Sequence, residues 1–565
     1  MLSDLQIAQQ AQLRDISEVA QKAGILPDEL RLYGPHMAKV ELSMLDRLSN
    51  QPDGKLILVT AVTPTPLGEG KTVVTLGLGQ ALRYIGENAI CTMRQPSMGP
   101  TFGIKGGACG GGYAQALPME DINLHFTGDI HAVGAANNLL AAMIDASLWH
   151  KNPLGIDPLS VSWNRVVDMN DVALRNTVIG LGGKSGGWPR ETHFDITVAS
   201  EVMAILALTT SLKDMRERFA RIQVATNAEG KPVTAEDLKA AGAMTVLMKD
   251  AIMPNLAQAL DGGPVFVHAG PFANIAIGTN SILADQIALK LADYVVTEAG
   301  FGADCGAEKF CNIKCRVGDM QPSAAVIVAT VRAMKLHGGA FQFKPGRKPP
   351  LEEIATENVD AVRAGCANLA KHIENMGKMG LPVVVAINIF PTDTEAEIAA
   401  LKEEALAAGA RDAVETRVHA QGGPGGAELA EAVKKVCEQD NDFRFLYPLE
   451  ASIKEKIETI ATEIYGADGV DYLPAAETRI RQFTEAGYDR LPICMAKTHL
   501  SLSHDPDLKG RPSGFTVPIR DIKPSLGAGF LYPLLGEMRT MPGLPTYPAA
   551  MNVDLDEKGN IVGLF

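Results

Sequence analysis

Residues 65–72 combine two glycines, a lysine and a hydroxyl in a spacing that can bind phosphate. They read TPLGEGKT and follow the apolar run KLILVTAV at 55–62. Backbone N–H groups of a glycine-rich turn between a strand and a helix close on phosphate oxygens, and the lysine reaches the β- and γ-phosphates. The next hydroxyl, Thr72, is the expected Mg²⁺ ligand. We therefore predict a nucleotide-binding loop formed by Thr65, Pro66, Leu67, Gly68, Glu69, Gly70, Lys71 and Thr72.

The loop has threonine at position 65, where the usual phosphate-binding pattern begins with glycine. Taken alone, the loop therefore predicts nucleotide binding and nothing more specific. The competing interpretation is an ordinary glycine turn that caps a helix beside a surface lysine. The apolar run before the loop and the helical pattern TVVTLGLGQALRYIG after it favour the phosphate-binding interpretation.

Arg94 is a second residue suited to anions, because it lies just past a predicted strand in AICTMRQP at 89–96. Ligands of open α/β sheets bind outside the carboxyl ends of the strands. A guanidinium can hold a carboxylate or an acyl phosphate through two parallel hydrogen bonds. For a lone arginine at such a position, a surface salt bridge is the alternative.

Six short apolar runs supply the sheet that these residues need. Each is nearly continuous in Val, Ile, Leu or Ala, which is typical of parallel strands covered on both faces. Helical patterns between many of them predict a doubly wound, mostly parallel α/β sheet of the P-loop NTPase type, with additional α/β domains. The runs are KLILVTAV (55–62), AICTMRQP (89–96), PVFVHAGPF (264–272), YVVTEAGFG (294–302), AAVIVATV (324–331) and PVVVAINIF (382–390).

A chain of 565 residues is too long for a single core, so we expect several domains. Residues 1–135, with about 261–365, are predicted to form the nucleotide-binding core. The strand pattern lapses over 136–260, which we interpret as an inserted domain. After the turn-rich GRKPP at 346–350 and a further helical pattern, residues 366–565 are predicted to form a C-terminal α/β domain, beginning with helices rich in Ala and Glu after residue 390.

Charge and composition limit the classes of partner. A formal net charge of −14 argues against nucleic acid or an anionic membrane surface. No apolar stretch approaches the roughly 20 residues that span a bilayer, and the acidic N-terminus resembles neither a secretory signal nor a transit peptide. We predict a cytoplasmic protein. The eight cysteines contain no CxxC pair, and we expect reduced, mostly buried thiols.

Residues 94–129 hold a longer and rarer pattern, RQPSMGPTFGIKGGACGGGYAQALPMEDINLHFTGD. This segment closely resembles the formate–tetrahydrofolate ligase family, in which the phosphate loop also begins Thr-Pro. The resemblance covers essentially the whole chain. Further matching segments are FDITVASEVMAILALTTSLKDM (194–215), TEAGFGADCGAEKF (297–310), VATVRAMKLHGG (328–339), AINIFPTDTEAE (386–397), LPICMAKTHLSLSHDP (491–506) and MPGLPTYP (541–548).

The resemblance implies an ATP-dependent ligase that forms 10-formyltetrahydrofolate from formate and tetrahydrofolate through formyl phosphate, releasing ADP and phosphate. It also implies Mg²⁺, activation by a monovalent cation (K⁺ or NH₄⁺), and a homotetramer. Two alternatives stay open at this point. One is a P-loop ligase that activates another small carboxylate, and the other is a catalytically impaired relative that binds nucleotide or folate.

The resemblance also assigns roles to individual residues. Lys71 and Arg94 would act on the γ-phosphate, with Arg94 binding formate and then the acyl phosphate. Asp129 would lie near the acyl phosphate, although an acid there could instead cap the following helix. Phe301 and Gly302 would line the nucleotide pocket. Lys105, beside the glycine tract GGACGGGY, would face either the phosphates or solvent.

The folate site is expected in the C-terminal domain. In the resembled family, a Phe at the position of Phe390 stacks on the pterin, and a Trp covers its other face. This chain has His419 at the Trp position. An imidazole stacks with less area than an indole, so we expect a higher KM for folate, or an altered pterin preference, compared with relatives that carry Trp. Without the resemblance, Phe390 would be interpreted as a core aromatic.

Overall fold

The computed structural model describes residues 2–103, 109–343 and 350–564. Lys105 and residues 346–349 of the predicted boundary segment lie outside these ranges, so their predicted roles are not addressed by the structure.

The strands are short and mostly buried. In chain order they are β1 Leu30–Leu32, β2 Ala38–Val40, β3 Lys55–Ala61, β4 Ala89–Met93, β5 Gly110–Gly111, β6 Ala114–Leu117, β7 Arg165–Val167, β8 Thr177–Ile179, β9 Arg190–Thr192, β10 Phe194–Ile196, β11 Gln223–Thr226, β12 Pro232–Thr234, β13 Asn255–Ala259, β14 Pro264–Val267, β15 Tyr294–Gly302, β16 Pro322–Ala329, β17 Val383–Asn388, β18 Asp412–Thr416, β19 Gly469–Tyr472, β20 Thr516–Ile519, β21 Asp521–Ser525, β22 Phe530–Leu534, β23 Asp554–Leu555 and β24 Ile561–Val562.

The α-helices alternate with the strands of the central sheet. They are α1 Asp4–Gln10, α2 Ile16–Lys22, α3 Ser43–Arg47, α4 Lys71–Tyr84, α5 Met98–Gly103, α6 Met119–Asn123, α7 Asp129–Trp149, α8 Glu201–Leu208, α9 Leu212–Arg221, α10 Ala241–Met248, α11 Ile282–Leu291, α12 Arg316–Gly318, α13 Val331–His337, α14 Leu351–Ala355, α15 Val359–Lys378, α16 Glu395–Ala407, α17 Val418–Gln421, α18 Ala427–Cys437, α19 Ile453–Thr459 and α20 Pro474–Glu485.

Among the described residues, one sheet of twelve strands dominates the fold. Its main path is β1-β2-β13-β14-β4-β15-β3-β16-β17-β18, and β6 pairs with both β13 and β5. The strands from β14 to β18 along this path run parallel. The pairs at the other end are antiparallel. The prediction of a mostly parallel α/β sheet is therefore confirmed, and each of the six predicted runs contributes a strand.

Apolar clusters cover both faces of this sheet. In β3, Leu56 and Leu58 pack into one buried cluster, together with side chains of α11, α13 and α15. The alternate residues Ile57 and Val59 pack into a second cluster with α4 and α18. Because successive strand residues point to opposite faces, a strand covered on both sides must be apolar throughout. This explains the nearly continuous runs.

Some strands did not follow from the sequence. Helices were expected after residue 390, but β18 lies there and extends the sheet beyond β17. The antiparallel strands β1, β2, β6 and β13 were also missed. These strands are short. The segments DAVET in β18 and NLAQA in β13 carry polar residues, so they resemble neither the nearly continuous apolar runs nor the helical patterns described above. Long-range pairing determines these strands more than local sequence does.

The C-terminal part contains a third apolar cluster. It is formed by residues between 447 and 535 and includes side chains of α19, α20, β20, β21 and β22. By contrast, β17 and β18 follow the predicted boundary at 365 and yet belong to the central sheet. The proposed division into domains stays a prediction.

Two further expectations concern the cysteines and membrane spans. All eight cysteines lie in the described residues and are buried free thiols. In the described part of the chain, no helix combines the length and apolarity needed to cross a bilayer.

Gly77→Ala in α4 should destabilise the fold although alanine favours helices. A Cβ at residue 77 would lie 2.4 Å from the Cβ of Val418, so α17 would have to move away from α4. Alanine gains about 1 kcal/mol of helix propensity, whereas overpacking costs about 1–3 kcal/mol. We expect the free energy of unfolding to fall by up to about 2 kcal/mol, measured by urea denaturation.

Gly377→Ala in α15 is the matched control, because a Cβ there would meet no heavy atom within 4 Å. This variant should be as stable as the parent or gain up to about 1 kcal/mol. Equal stability of the two variants would contradict the close contact between α4 and α17.

Candidate active site

The carboxyl ends of the parallel strands gather most of the predicted site residues at one edge of the sheet. The phosphate loop follows β3, and Arg94 follows β4. Phe301 and Gly302 end β15, and Phe390 lies two residues after β17. Since β15 pairs with both β3 and β4, three of these strand ends are direct neighbours.

The loop between β3 and α4 closes on itself. The Thr65 N–H donates to Oε1 of Glu69 (2.9 Å), and the Gly68 N–H donates to the Thr65 carbonyl (3.0 Å). Glu69 and Thr65 are both buried. Gly68 and Gly70 have φ angles of +71° and +74°, and Gly70 is the N-cap of α4, which starts at Lys71. The predicted strand, turn and helix are therefore present.

Close approach from β17 also requires glycine at position 70. The Asn388 amide donates to the carbonyl of Glu69 (3.0 Å). A Cβ on Gly70 would lie 2.4 Å from the Asn388 Nδ2. Residue 70 thus needs both a positive φ and the absence of a side chain, so the second glycine of the motif is required by packing as well as by backbone conformation.

Two neutral histidines hold the start of the loop at Thr63. His337 Nε2 donates to the Thr63 carbonyl (2.9 Å), and His372 Nε2 lies 3.1 Å from the Thr63 hydroxyl. Asn368 donates to the same hydroxyl (2.9 Å). Burial lowers the pKa of each histidine to about 4, so both rings are uncharged near neutral pH. Helices α13 and α15 therefore fix the loop without adding charge.

Glu298 contacts the phosphate loop and acts electrostatically on Arg94. No role for Glu298 was predicted from the sequence. The Thr72 hydroxyl donates to Glu298 Oε2 (2.9 Å), and Glu298 is only 3% exposed. Burial lowers the pKa of Arg94, and the charge of Glu298 partly offsets that lowering. A Cβ on Gly300 would lie 3.2 Å from both terminal nitrogens of Arg94, so the guanidinium packs against β15. The signal in the sequence was a lone acid inside the apolar run YVVTEAGFG.

Arg94 retains hydrogen-bonding capacity in a desolvated setting. Its Nη1 donates weakly to the Pro271 carbonyl (3.3 Å), and its Nε is buried without a hydrogen-bond partner in the described residues. Burial lowers the pKa of Arg94, against the opposing effect of Glu298. The Gln95 amide and the Thr65 hydroxyl are likewise buried without partners there. A buried unsatisfied group costs about 1–3 kcal/mol, so each of these groups is a candidate contact for a polar ligand.

Arg332, on α13, joins the loop to Phe390. Its Nη2 donates to the carbonyls of Leu67 (3.2 Å) and Gly68 (2.6 Å). Its guanidinium carbon lies 3.6 Å from the centroid of the Phe390 ring, a cation–π contact. The residue lay within a quoted family segment, but no role was predicted for it.

Phe301 has a φ of +60°, which is unusual for a residue with a side chain. Its ring stacks on His499, with centroids 4.0 Å apart and planes 15° apart. A Cβ on Gly302 would lie 2.7 Å from the Asp304 carboxylate, which pairs with the buried Lys497 (2.7 Å). The segment at 491–506 therefore packs against the end of β15, where the nucleotide pocket was predicted.

Asp129 and His419 have contacts with other groups. Asp129 begins α7 and is buried between Lys39 (2.7 Å) and the Asn255 amide (2.6 Å). His419, in α17, is half-exposed, and its Nε2 lies 3.6 Å from Asp4. Its carbonyl accepts from the Tyr113 N–H (2.8 Å). The structure thus joins the loop to Phe390 through Arg332 and places Arg94 against the neighbouring strand β15. The roles of Asp129 and His419 stay predictions.

Comparison with known proteins gives a consistent result over the whole chain. The family model described as formate–tetrahydrofolate ligase matches residues 2–565. A formate–tetrahydrofolate ligase of Desulforamulus reducens is 60% identical over 563 residues, covering 100% of this chain and 99% of the relative. Proteins of the same name from Roseiflexus castenholzii (59% over 565 residues, 100% of each chain) and Rubrobacter xylanophilus (number 3; 56% over 575 residues, 100% of each) are also similar.

Asp4→Asn should lower the pKa of His419 towards its ordinary value. The neighbouring Asp4 carboxylate raises that pKa, and the same contact lowers the pKa of Asp4. The charged pair is therefore present between the two pKa values and is lost as the pH rises through that of His419. NMR titration of isotope-labelled histidine measures the change. Asp15→Asn is the control, because Asp15 bonds to the Ser17 N–H instead; an unchanged His419 titration in Asp4→Asn would contradict the pairing.

Proposed function

The chain belongs to the formate–tetrahydrofolate ligase family, and from this premise we propose that it works through formyl phosphate at the loop and Arg94. The family uses ATP to join formate to tetrahydrofolate. This chain is accordingly a ligase that forms 10-formyltetrahydrofolate. Family membership over the full length disfavours both alternatives, a ligase for another small carboxylate and an impaired binding protein.

The fold around the loop supports a P-loop NTPase type of core. In that arrangement a strand leads through the loop into a helix, and an acid on a neighbouring strand serves the hydroxyl after the lysine. Here β3 leads into α4, and Glu298 on β15 accepts from Thr72. We propose that the N–H groups of Gly70 and Lys71 surround the phosphates.

In the first step, a formate oxygen forms a bond to the γ-phosphorus of ATP, and the bond from that phosphorus to the β–γ bridging oxygen breaks. ADP leaves with the bonding pair. Phosphoryl transfer needs positioning and charge neutralisation more than covalent help. The Lys71 ammonium neutralises charge on the phosphates, and the Arg94 guanidinium holds formate and then formyl phosphate. The closed loop and the buried arginine provide this without large rearrangement.

In the second step, the N10 lone pair of tetrahydrofolate attacks the formyl carbon. The C–N bond forms, the C–O bond to phosphate breaks, and the N10 proton passes to solvent. Phosphate is a good leaving group. An oxygen of unactivated formate would have to leave as oxide, which is a poor leaving group. This difference is the reason to consume ATP. Arg94 would continue to neutralise the charge on the phosphate oxygens as the phosphate departs.

Mg²⁺ is the metal proposed for this site, and Thr72 with Glu298 would hold it. Mg²⁺ prefers oxygen ligands and takes few from the protein, keeping waters and substrate phosphates. The described residues contain no cluster of three His, Cys, Asp or Glu side chains suited to a metal. When bound, the ion neutralises charge on the β- and γ-phosphates. No residue is assigned to the proposed monovalent activator.

The remaining assignments are proposals drawn from family membership. Phe390 would stack on the pterin, with His419 towards its other face. Phe301 and Gly302 would line the nucleotide pocket, and the stacking of Phe301 on His499 supports an aromatic surface there. Asp129 would act near the acyl phosphate. A homotetramer and a cytoplasmic location are likewise proposed.

The observation that carries the proposal is the position of Glu298, in contact with Thr72 and in the field of Arg94. It supports a single site for nucleotide and formate. The direct assay measures ADP and 10-formyl product while each substrate is omitted in turn. Product that needs all three substrates supports the proposal, and turnover with acetate in place of formate argues against it.

Arg94→Ala and Lys71→Ala should both abolish most product but differ in nucleotide binding. Losing a charge-stabilising donor in a desolvated site costs about 100-fold or more in kcat. Arg94→Ala should retain MgATP affinity in calorimetry because its partner is the acyl group, whereas Lys71→Ala should weaken it. Arg363→Ala, on the exposed side of α15, is the control. Parental turnover in Arg94→Ala would overturn the assignment of that residue.

His419→Trp should tighten binding of tetrahydrofolate, because an indole offers more stacking area than an imidazole. We expect a lower KM for tetrahydrofolate with an unchanged KM for ATP. Asp4→Asn removes the ionic partner of His419 without adding area, and it serves as the comparison. An unchanged or higher tetrahydrofolate KM in His419→Trp would remove His419 from the pterin site.

A further inference from the structure

Arg332 contacts two surfaces that the proposed function assigns to different substrates. Its Nη2 bonds to two carbonyls of the phosphate loop, those of Leu67 and Gly68. Its flat face lies 3.6 Å from the centre of the Phe390 ring. One side chain therefore bridges the proposed nucleotide site and the proposed pterin site.

The chemistry of guanidinium allows both contacts at once. A planar guanidinium donates hydrogen bonds in its plane while its face stacks on an aromatic ring. A lysine ammonium at the same place could bond to a carbonyl or approach the ring, but it has no flat face. Burial lowers the pKa of Arg332, and Glu69 and Asp393 oppose that effect.

Helix α13 holds Arg332 in a fixed frame. The Thr330 hydroxyl caps the helix by accepting from the Ala333 N–H (3.1 Å). Lys335 forms a fully buried ion pair with Glu397 (2.6 Å), which lies in the first turn of α16, after Phe390. His337 bonds to Thr63 at the start of the phosphate loop. The same helix thus anchors both sides of the bridge.

We propose that Arg332 is a positioning residue that couples binding at the phosphate loop to binding at Phe390. A bound phosphate orders the loop, the ordered carbonyls of Leu67 and Gly68 fix the guanidinium, and the guanidinium fixes the ring of Phe390. The second ligand then meets a surface already ordered by the first, which gives positive cooperativity. Coupling of this kind is reciprocal. The inference rests on the proposed function of the loop and of Phe390.

The test compares the affinity for tetrahydrofolate with and without a non-hydrolysable ATP analogue, adenosine 5′-(β,γ-imido)triphosphate with Mg²⁺. Calorimetry on the full chain gives both dissociation constants. In the parent, the analogue should tighten tetrahydrofolate binding by about fivefold or more. In Arg332→Ala and Arg332→Lys, the ratio of the two constants should fall towards one.

Arg363→Ala is the matched control and should keep the parental ratio, because Arg363 is exposed on α15 and pairs with Glu403 and Glu404. A merely structural role of Arg332 would weaken each ligand separately but leave the ratio unchanged. If Arg332→Ala lowers the melting temperature, Arg332→Lys carries the test, because it keeps the charge and most of the side-chain length.

A fourth variant separates the failure of this inference from that of the proposed function. Phe390→Leu should weaken tetrahydrofolate binding and remove the coupling. If it weakens tetrahydrofolate while both Arg332 variants retain the parental ratio, the coupling role is overturned and the pterin assignment stands. If Phe390→Leu leaves tetrahydrofolate affinity unchanged, the pterin assignment itself is overturned. A parental ratio of one also overturns the coupling.

Discussion

The buried carboxylate of Glu298 sets the geometry at the carboxyl ends of the parallel strands, where the candidate active site lies. Glu298, in the middle of the central sheet, is 3% exposed and accepts from Thr72. An ionised carboxylate is costly to bury unless hydrogen bonds and an opposite charge compensate it. Because β15 lies between β3 and β4, groups that follow those two strands are near enough to compensate it. The Thr72 hydroxyl contacts Glu298, and the Arg94 guanidinium packs against the same strand at Gly300.

Behind the carboxyl ends of these strands, a network of buried polar groups makes the central sheet rigid. Lys314 pairs with Asp285 (2.7 Å), and both side chains are fully buried. The same carboxylate accepts from the Thr92 hydroxyl (2.6 Å) on β4, and Thr297 on β15 lies 3.3 Å away. Removing one partner of such a pair typically costs about 3–5 kcal/mol. The network therefore holds the strands that carry Arg94 and Glu298 in register, which suits chemistry that depends on positioning.

The sequence predicted the features that depend on residues close together in the chain. The strand, turn and helix around Lys71 follow one another in sequence, and Arg94 follows its strand directly. The roles of Glu298 and Arg332 depend on which strands and helices become neighbours, and an acid in an apolar run or an arginine in a helix does not reveal its partners. His419 shows the same limit: family resemblance predicted a stacking role, but its contact with Asp4 joins distant parts of the chain.

The threonine at position 65 has a physical explanation in the loop. Positive φ angles occur at Gly68 and Gly70, so glycine is needed at those two positions. Position 65 needs only a correctly oriented backbone N–H group. The Glu69 carboxylate orients it by accepting a hydrogen bond from the Thr65 N–H. Asn388 supports the loop from β17, and Arg332 holds it from α13. Contacts from several sides keep the N–H groups of the loop in place for the phosphate binding proposed above, which orders the loop further. The first glycine of the usual pattern is therefore not needed here, because the contacts of Glu69, Asn388 and Arg332 hold the loop in place.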